Sequence, residues 1–286
     1  MERFLEGGEE QRIRRLRMSQ RGLHTNPLCF CFNKKMEKKL KIKVSEKNYI
    51  YGRLSGTSRQ PLFIIVHGFL ETMDGDFYLN ATRYFAKQGY ATFRFNLYGG
   101  EKNARQMIDT TLKINASDID AMVRYFRRNK FQKIFIAGHS YGGTGILLSS
   151  EQNFDGAVLW DPSYKMSFTK TEHGLPPIKY IKEAKGYLMN WGINLIVGKP
   201  IVEEADIINW NDLTNNFHVP LKIIVAGKGV LVKGAKRYFK TANKPKDLTV
   251  IKNATHYFND TEDMREKIFK ISKDWFGKID KYKKNS

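Results

Sequence analysis

The chain has 286 residues, 41% hydrophobic and 13% aromatic, enough to build the core of one large domain or two small ones. This excludes a disordered or fibrous chain, and uninterrupted apolar runs such as 62–66 fall far short of the roughly 20 residues of a membrane span. A formal charge of +20, from 49 basic and 29 acidic residues, invites a nucleic-acid or anionic-membrane reading, so its distribution matters.

Residues 1–35 carry eight basic residues, six of them arginines, against four glutamates, and hold both cysteines, Cys29 and Cys31. The rest of the chain is lysine-rich and free of thiols. The first segment lacks the apolar stretch of a secretory signal, and Glu2, Glu6, Glu9 and Glu10 argue against a mitochondrial leader. It reads as a disordered extension, with the domain opening near Met36. Cys29 and Cys31 find no matching Cys or His cluster downstream and so make no metal site. A thiol-free body and no leader or span fit a cytoplasmic protein.

The body alternates strand and helix. Alternation around Leu40, Ile42 and Val44, then 49–54, predicts a hairpin at a sheet edge. The continuous run 62–66 predicts a strand buried on both faces. A helix over 77–87 and a strand over 90–95 follow. Ser117 and Asp120 resemble a capping box, with Ile119, Met122, Val123 and Phe126 forming the apolar face of the helix behind them. A strand over 133–137, a helix over 141–150 and a strand over 157–160 come next. Residues 162–219 lose the rhythm; a helix over 178–190 is expected there, making the segment a small helical cap inserted in the sheet. Strands over 221–226 and 248–252, with helices over 233–242 and 261–276, complete the chain. The predicted domains are a core of 36–161 and 220–286 and a cap of 162–219. This pattern describes an α/β fold on a mostly parallel sheet with helices on both faces, whose ligand crevice lies at the carboxyl ends of the strands.

The chemistry is concentrated at those ends. Gly138, His139, Ser140, Tyr141 and Gly142 form Gly-x-Ser-x-Gly between a buried strand and a helix, the setting a nucleophile elbow requires. Glycines flank the serine because side chains there would collide, and the turn aims the Ser140 hydroxyl at the crevice. The backbone N–H of Tyr141, at a helix N-terminus, is suited to stabilise an oxyanion. Serine needs a base. His256, between the last strand and the last helix, is the best placed of six histidines. His139 reads as a packing or hydrogen-bonding residue, and His24, His173 and His218 have no supporting context.

The order of a strand, His67, Gly68 and Phe69, then the elbow, then His256 resembles the α/β-hydrolase superfamily over about 40–277. The resemblance implies that the N–H of Phe69 is the second oxyanion donor beside Tyr141, and that His67 holds the loop. It departs at the acid: members usually carry an aspartate after the strand that here is 221–226, where this chain reads Ala226, Gly227, Lys228 and Gly229. Asp161, at the end of the preceding strand, is placed to orient His256, as in some α/β-hydrolases. It also fits a turn aspartate before Pro162 or a substrate contact; a Ser–His dyad, Asp260, Glu203 and Glu204 are the other options.

The expected function is a serine hydrolase cleaving small or medium carboxylic esters, with no cofactor and no metal. A peptidase or acyltransferase of the same fold, and a non-catalytic binding protein, are the alternatives. No nucleic-acid motif accompanies the scattered lysines, which read as a solvated surface, so the expected partner is a small-molecule ester.

Overall fold

In the computed structural model, which describes residues 37–168, 178–190, 194–261 and 263–285, the continuous apolar runs become the middle of an eight-stranded sheet. The chain divides into Met1–Lys34 and Lys35–Ser286, and the described residues belong to the second unit. The expectations for 1–35, including Cys29 and Cys31, and for His173, lie outside the described residues.

The opening hairpin is β1 (Lys38–Lys43) against β2 (Tyr49–Ser55), antiparallel, at one sheet edge. Then come β3 (Leu62–Val66), α1 (Asp76–Lys87), β4 (Ala91–Phe95), α2 (Leu112–Arg128), β5 (Ile134–His139), α3 (Tyr141–Leu147) and β6 (Gly156–Trp160). After an insertion the sheet resumes with β10 (Leu221–Ala226), α5 (Val232–Thr241), β11 (Lys246–Ile251) and α6 (Met264–Asn285). The spatial order is β1-β2-β4-β3-β5-β6-β10-β11, and all pairs from β4 to β11 are parallel.

Strand residues alternate between two cores. Leu62, Ile64, Val66, Ile134, Ile136, Leu159 and Ile223 pack under α2, α3 and α5. Phe63, Ile65, Phe135, Val158, Trp160 and Ile224 pack under α1 and α6. The second core is held by aromatic stacking, Phe135 on Phe276 at 4.3 Å and Phe63 on Phe85 at 3.8 Å between ring centroids. Trp160 inserts its ring there and donates from Nε1 to Ser272 Oγ at 3.0 Å, so that its own buried N–H is paired. Because both faces are covered, β3 and β6 run apolar throughout, which is why they are readable as strands.

Two expectations are corrected. Helix α2 starts at Leu112, five residues before Ser117, with Thr111 as N-cap accepting from the Ile114 N–H at 3.1 Å. Asn115 and Asp118 break the apolar pattern there but are buried: Asn115 accepts from Tyr141 Oη, and Asp118 receives a two-pronged bond from Arg105 at 2.6 and 2.8 Å. Asp120 is no capping residue; it accepts from the hydroxyls of Ser149 and Ser150. The expected helix over 178–190 is two strands, β7 (Lys179–Ile181) and β8 (Gly186–Asn190), joined by β9 (Asn194–Gly198) into an antiparallel sheet. Only α4 (Lys199–Ile207) is helical in the described part of the insertion. Gly186 explains the switch. A Cβ there would come 2.7 Å from both Ile108 Cδ1 and the Val197 carbonyl oxygen, so a bare backbone is needed where the small sheet packs on the 107–109 turn.

Candidate active site

The chain turns sharply where β5 meets α3. Ser140 sits at φ 50°, ψ −117°, a left-handed conformation that costs a non-glycine residue about 1–3 kcal/mol and persists only when its surroundings hold it. They do so by backbone bonds: Ser140 N–H donates to the Trp160 carbonyl at 2.9 Å, and the Ser140 carbonyl accepts from Gly143 at 3.1 Å and Ser163 at 3.2 Å. The flanking glycines are a steric necessity. A Cβ on Gly138 would stand 2.5 Å from Gly142 C, and one on Gly142 would run into the His67 carbonyl oxygen. Tyr141 is the first residue of α3, where backbone N–H groups lack intrahelical partners.

Asp161 and His256 reach each other from neighbouring strands. Asp161 follows β6 at φ 45°, is 1% exposed, and takes the Ala226 N–H on Oδ1 at 2.9 Å. Its Oδ2 lies 2.6 Å from His256 Nδ1. The β10 turn, where the acid was expected by resemblance, contributes a backbone donor to Asp161 instead of a carboxylate. The alternatives are engaged elsewhere. Asp260 accepts from Thr255 N and Oγ1 and pairs with Lys228; Glu203 pairs with Lys199; Glu204 accepts from the Lys113 N–H. Ser140, His256 and Phe69 line one cleft of about 480 Å³. Among the described residues Ser140 Oγ is hydrogen-bonded at 3.2 Å to Ser163 Oγ rather than to His256.

Phe69 belongs to the loop after β3. Its ring lies 5.4 Å from those of Tyr141 and Phe168, forming an apolar wall of the cleft with Met166 and Leu231. His67 is buried beneath this loop. It accepts the Leu97 N–H on Nε2 at 3.0 Å and places Nδ1 2.7 Å from the Gly68 carbonyl, so Nδ1 carries the proton. Burial pushes its pKa down to about 4, outweighing the Gly68 carbonyl and the Glu71 charge, so the ring is a neutral strut.

The sequence reading missed a second cluster. His139 is fully buried, with Nε2 2.9 Å from the His256 carbonyl oxygen and Nδ1 3.1 Å from Tyr78 Oη and 3.3 Å from Glu71 Oε2. Tyr78 Oη donates to the same carboxylate oxygen. Burial alone would raise the Glu71 carboxyl, but its hydrogen bond with His139, the charge of that ring, and the Tyr78 and Tyr257 hydroxyls hold it down at about 2. A signal existed: Glu71 lies three residues after the His67-Gly68 pair, but a lone acid in a loop has no pattern of its own. Among the described residues, no group of three or more His, Cys, Asp or Glu could hold a metal ion. No helix of the described residues is long and apolar enough to cross a membrane.

A mostly parallel sheet with a serine elbow at the end of β5 and a histidine–carboxylate pair beside it defines the α/β-hydrolase class. The fold is that of the α/β-hydrolases, and the family model described as Serine aminopeptidase, S33, matches residues 57–191. The fold is similar to that of Est1E from Butyrivibrio proteoclasticus, solved with ferulic acid bound, at 19% identity and a TM-score of 0.67, covering 84% of this chain and 98% of that one. It is also similar to α/β hydrolase GrgF from Penicillium sp. sh18 (14% identity, TM-score 0.69, 84% and 97% covered). Mouse alpha/beta hydrolase domain-containing protein 10 matches at 14% identity and a TM-score of 0.66, with 85% and 99% covered. No curated protein matched the sequence.

Proposed function

We propose that the protein is a cytoplasmic serine hydrolase that cleaves small or medium carboxylic esters through an acyl-enzyme. The observation carrying this reading is the 2.6 Å contact between His256 Nδ1 and Asp161 Oδ2 beside a serine held on a strained elbow. Asp161 fixes the His256 tautomer with Nε2 unprotonated and stabilises the imidazolium that forms. On substrate entry the Ser140 hydroxyl turns from Ser163 to Nε2, gives up its proton and attacks the ester carbonyl, a bond that in many hydrolases tightens only with substrate. The N–H groups of Phe69 and Tyr141 receive the oxyanion. His256 returns the proton to the departing alcohol; water, activated by the same ring, then releases the acid.

The match to a serine aminopeptidase family model favours one second reading, amide cleavage next to a free amine. That would need an anchor for the ammonium. The carboxylate lining the described part of the cleft, Glu71, is already taken by the Gly68 N–H, Tyr78 and His139. The ester reading is therefore preferred.

Fluorophosphonate labelling followed by peptide mass spectrometry tests the proposal. Modification at Ser140, loss of labelling in Ser140→Ala, and turnover of p-nitrophenyl esters that falls by on the order of 10⁶ in that variant are expected. Folded wild-type protein that neither labels nor turns over esters would overturn it.

A further inference from the structure

We infer that Glu71 and His139 form a buried ion pair that positions the reacting groups, clamping the oxyanion loop and the His256 loop to the elbow. This rests on the serine hydrolase reading and assigns the pair no proton of the reaction.

The His139 ring has protein partners at both nitrogens. Nε2 points at the His256 carbonyl oxygen, which only accepts, so Nε2 carries a hydrogen. Nδ1 faces Glu71 Oε2 and Tyr78 Oη. Tyr78 has one hydrogen, and the short contact to Glu71 Oε2 uses it; burial, and after it the Glu71 charge, raise the phenol well above its ordinary value, so it stays protonated. Its oxygen meanwhile accepts the Gly68 N–H at 2.8 Å. A neutral ring would then aim a lone pair at a carboxylate. A doubly protonated ring, donating from Nδ1 to Glu71 and from Nε2 to His256, satisfies every partner. The other groups facing it are the Tyr257 ring at 5.1 Å, the His256 ring at 4.5 Å and the Phe77 ring at 5.1 Å. The Arg265 guanidinium lies over the far neighbour, Phe77.

Three loops converge on this pair. Glu71 Oε2 accepts the Gly68 N–H at 2.9 Å, fixing the His67–Gly68 peptide, one unit before the peptide that carries the Phe69 N–H. His139 belongs to the elbow and precedes Ser140. Its bond to the His256 carbonyl holds the backbone of the proposed base, whose side chain is held from the other end by Asp161. Tyr257 closes the ring with a hydroxyl bonded to Glu71, its pKa pushed up to about 12 by burial and then by the Glu71 charge. The close fit also accounts for Gly68: a Cβ there would strike Glu71 Oε2 and stand 3.2 Å from His139 Nδ1. Catalysis is sensitive to displacements of about 1 Å, so a device that registers donor loop, nucleophile and base against one another matters even without touching substrate.

The test compares full-length wild type with Glu71→Gln and His139→Gln, and with Tyr78→Phe as a milder third variant. Each is assayed for p-nitrophenyl ester turnover across pH, for the rate of fluorophosphonate labelling at Ser140, and for thermal unfolding. The pair predicts a kcat loss of about 10- to 100-fold in both glutamine variants with KM changed less than about three-fold, and slower labelling. A Glu71→Gln/His139→Gln double variant should be no worse than the poorer single, because the residues act as one unit. Should the glutamine variants misfold, Tyr78→Phe still reads the clamp, with a several-fold kcat loss. If wild type labels normally while folded variants keep wild-type kcat, labelling rate and pH profile, this inference is overturned and the hydrolase reading stands. If wild type itself fails to label, the hydrolase reading falls first.

Discussion

Two histidine–carboxylate pairs lie side by side in this molecule, and their surroundings differ. His256 with Asp161 opens onto the cleft, the imidazole side chain 36% exposed and the carboxylate 1%. His139 with Glu71 reverses this: the imidazole is fully buried and the carboxylate side chain 18% exposed. In the first pair one ring nitrogen faces the acid and the other is left for a substrate-side partner. In the second both nitrogens are taken by acceptors of the protein. In the proposed reading the two histidine–carboxylate pairs divide between moving a proton and holding a backbone, according to whether a nitrogen remains free. Residue type and spacing alone do not make that distinction.

The sharpest way to break this contrast is Asp161→Asn. If the exposed pair carries the chemistry, turnover falls by on the order of 10⁴ with folding retained, because the amide favours the wrong tautomer. The loss should exceed that of Glu71→Gln by at least about ten-fold in kcat under the same assay. Equal losses in the two variants would erase the division of labour. A smaller effect concerns stability in acid. The Glu71 carboxyl is held at about 2 against an ordinary 4.5. A depressed acid contributes stability that is fully present above about pH 4.5 and lost as the pH falls toward 2. His67 acts in a higher window. Its folded value of about 4 lies below the ordinary 6.5, so the unfolded chain takes up the proton first as the pH drops between them, and stability declines there as well. Urea unfolding midpoints measured against pH should show both declines. Glu71→Gln should flatten the lower one and His67→Asn the upper one.

What the sequence made legible follows burial. Strands β3 and β6 are covered on both faces and read as continuous apolar runs, β5 and β10 nearly so apart from His139 and Lys222, and the elbow announces itself by two glycines with a steric reason to be there. The β7–β9 sheet is short and half-exposed, so it carries no clear two-residue period, and the helix expected over 178–190 takes no account of Gly186 as a breaker. The start of α2 was missed because Asn115 and Asp118 look solvent-facing, and only the fold supplies their buried partners. Asp161 could be named as one option among several, since strand-end position is visible in sequence. Glu71 and Tyr78 could not, because their role depends on three loops meeting.

The finest discrimination lies between Asp161 and Asp260, the carboxylate in the His256 loop itself. Asp260 is held below the usual carboxylate range chiefly by the Thr255 N–H, which it accepts at 2.6 Å, with the Thr255 hydroxyl and Lys228 contributing further. Its bonds run along its own loop and not to the imidazole. Asn at this position keeps an acceptor oxygen for the Thr255 N–H and gives up only the 3.6 Å pairing with the half-exposed Lys228, an interaction worth little at a surface. Asp260→Asn should therefore leave kcat within about two-fold of wild type, and added to Asp161→Asn it should cost nothing more, as expected for a residue outside the coupled pair. A loss of more than about ten-fold in the single variant would mean that His256 turns to Asp260 during turnover. The exposed pair would then be a resting arrangement, and the contrast with His139 and Glu71 would have to be redrawn around a different acid.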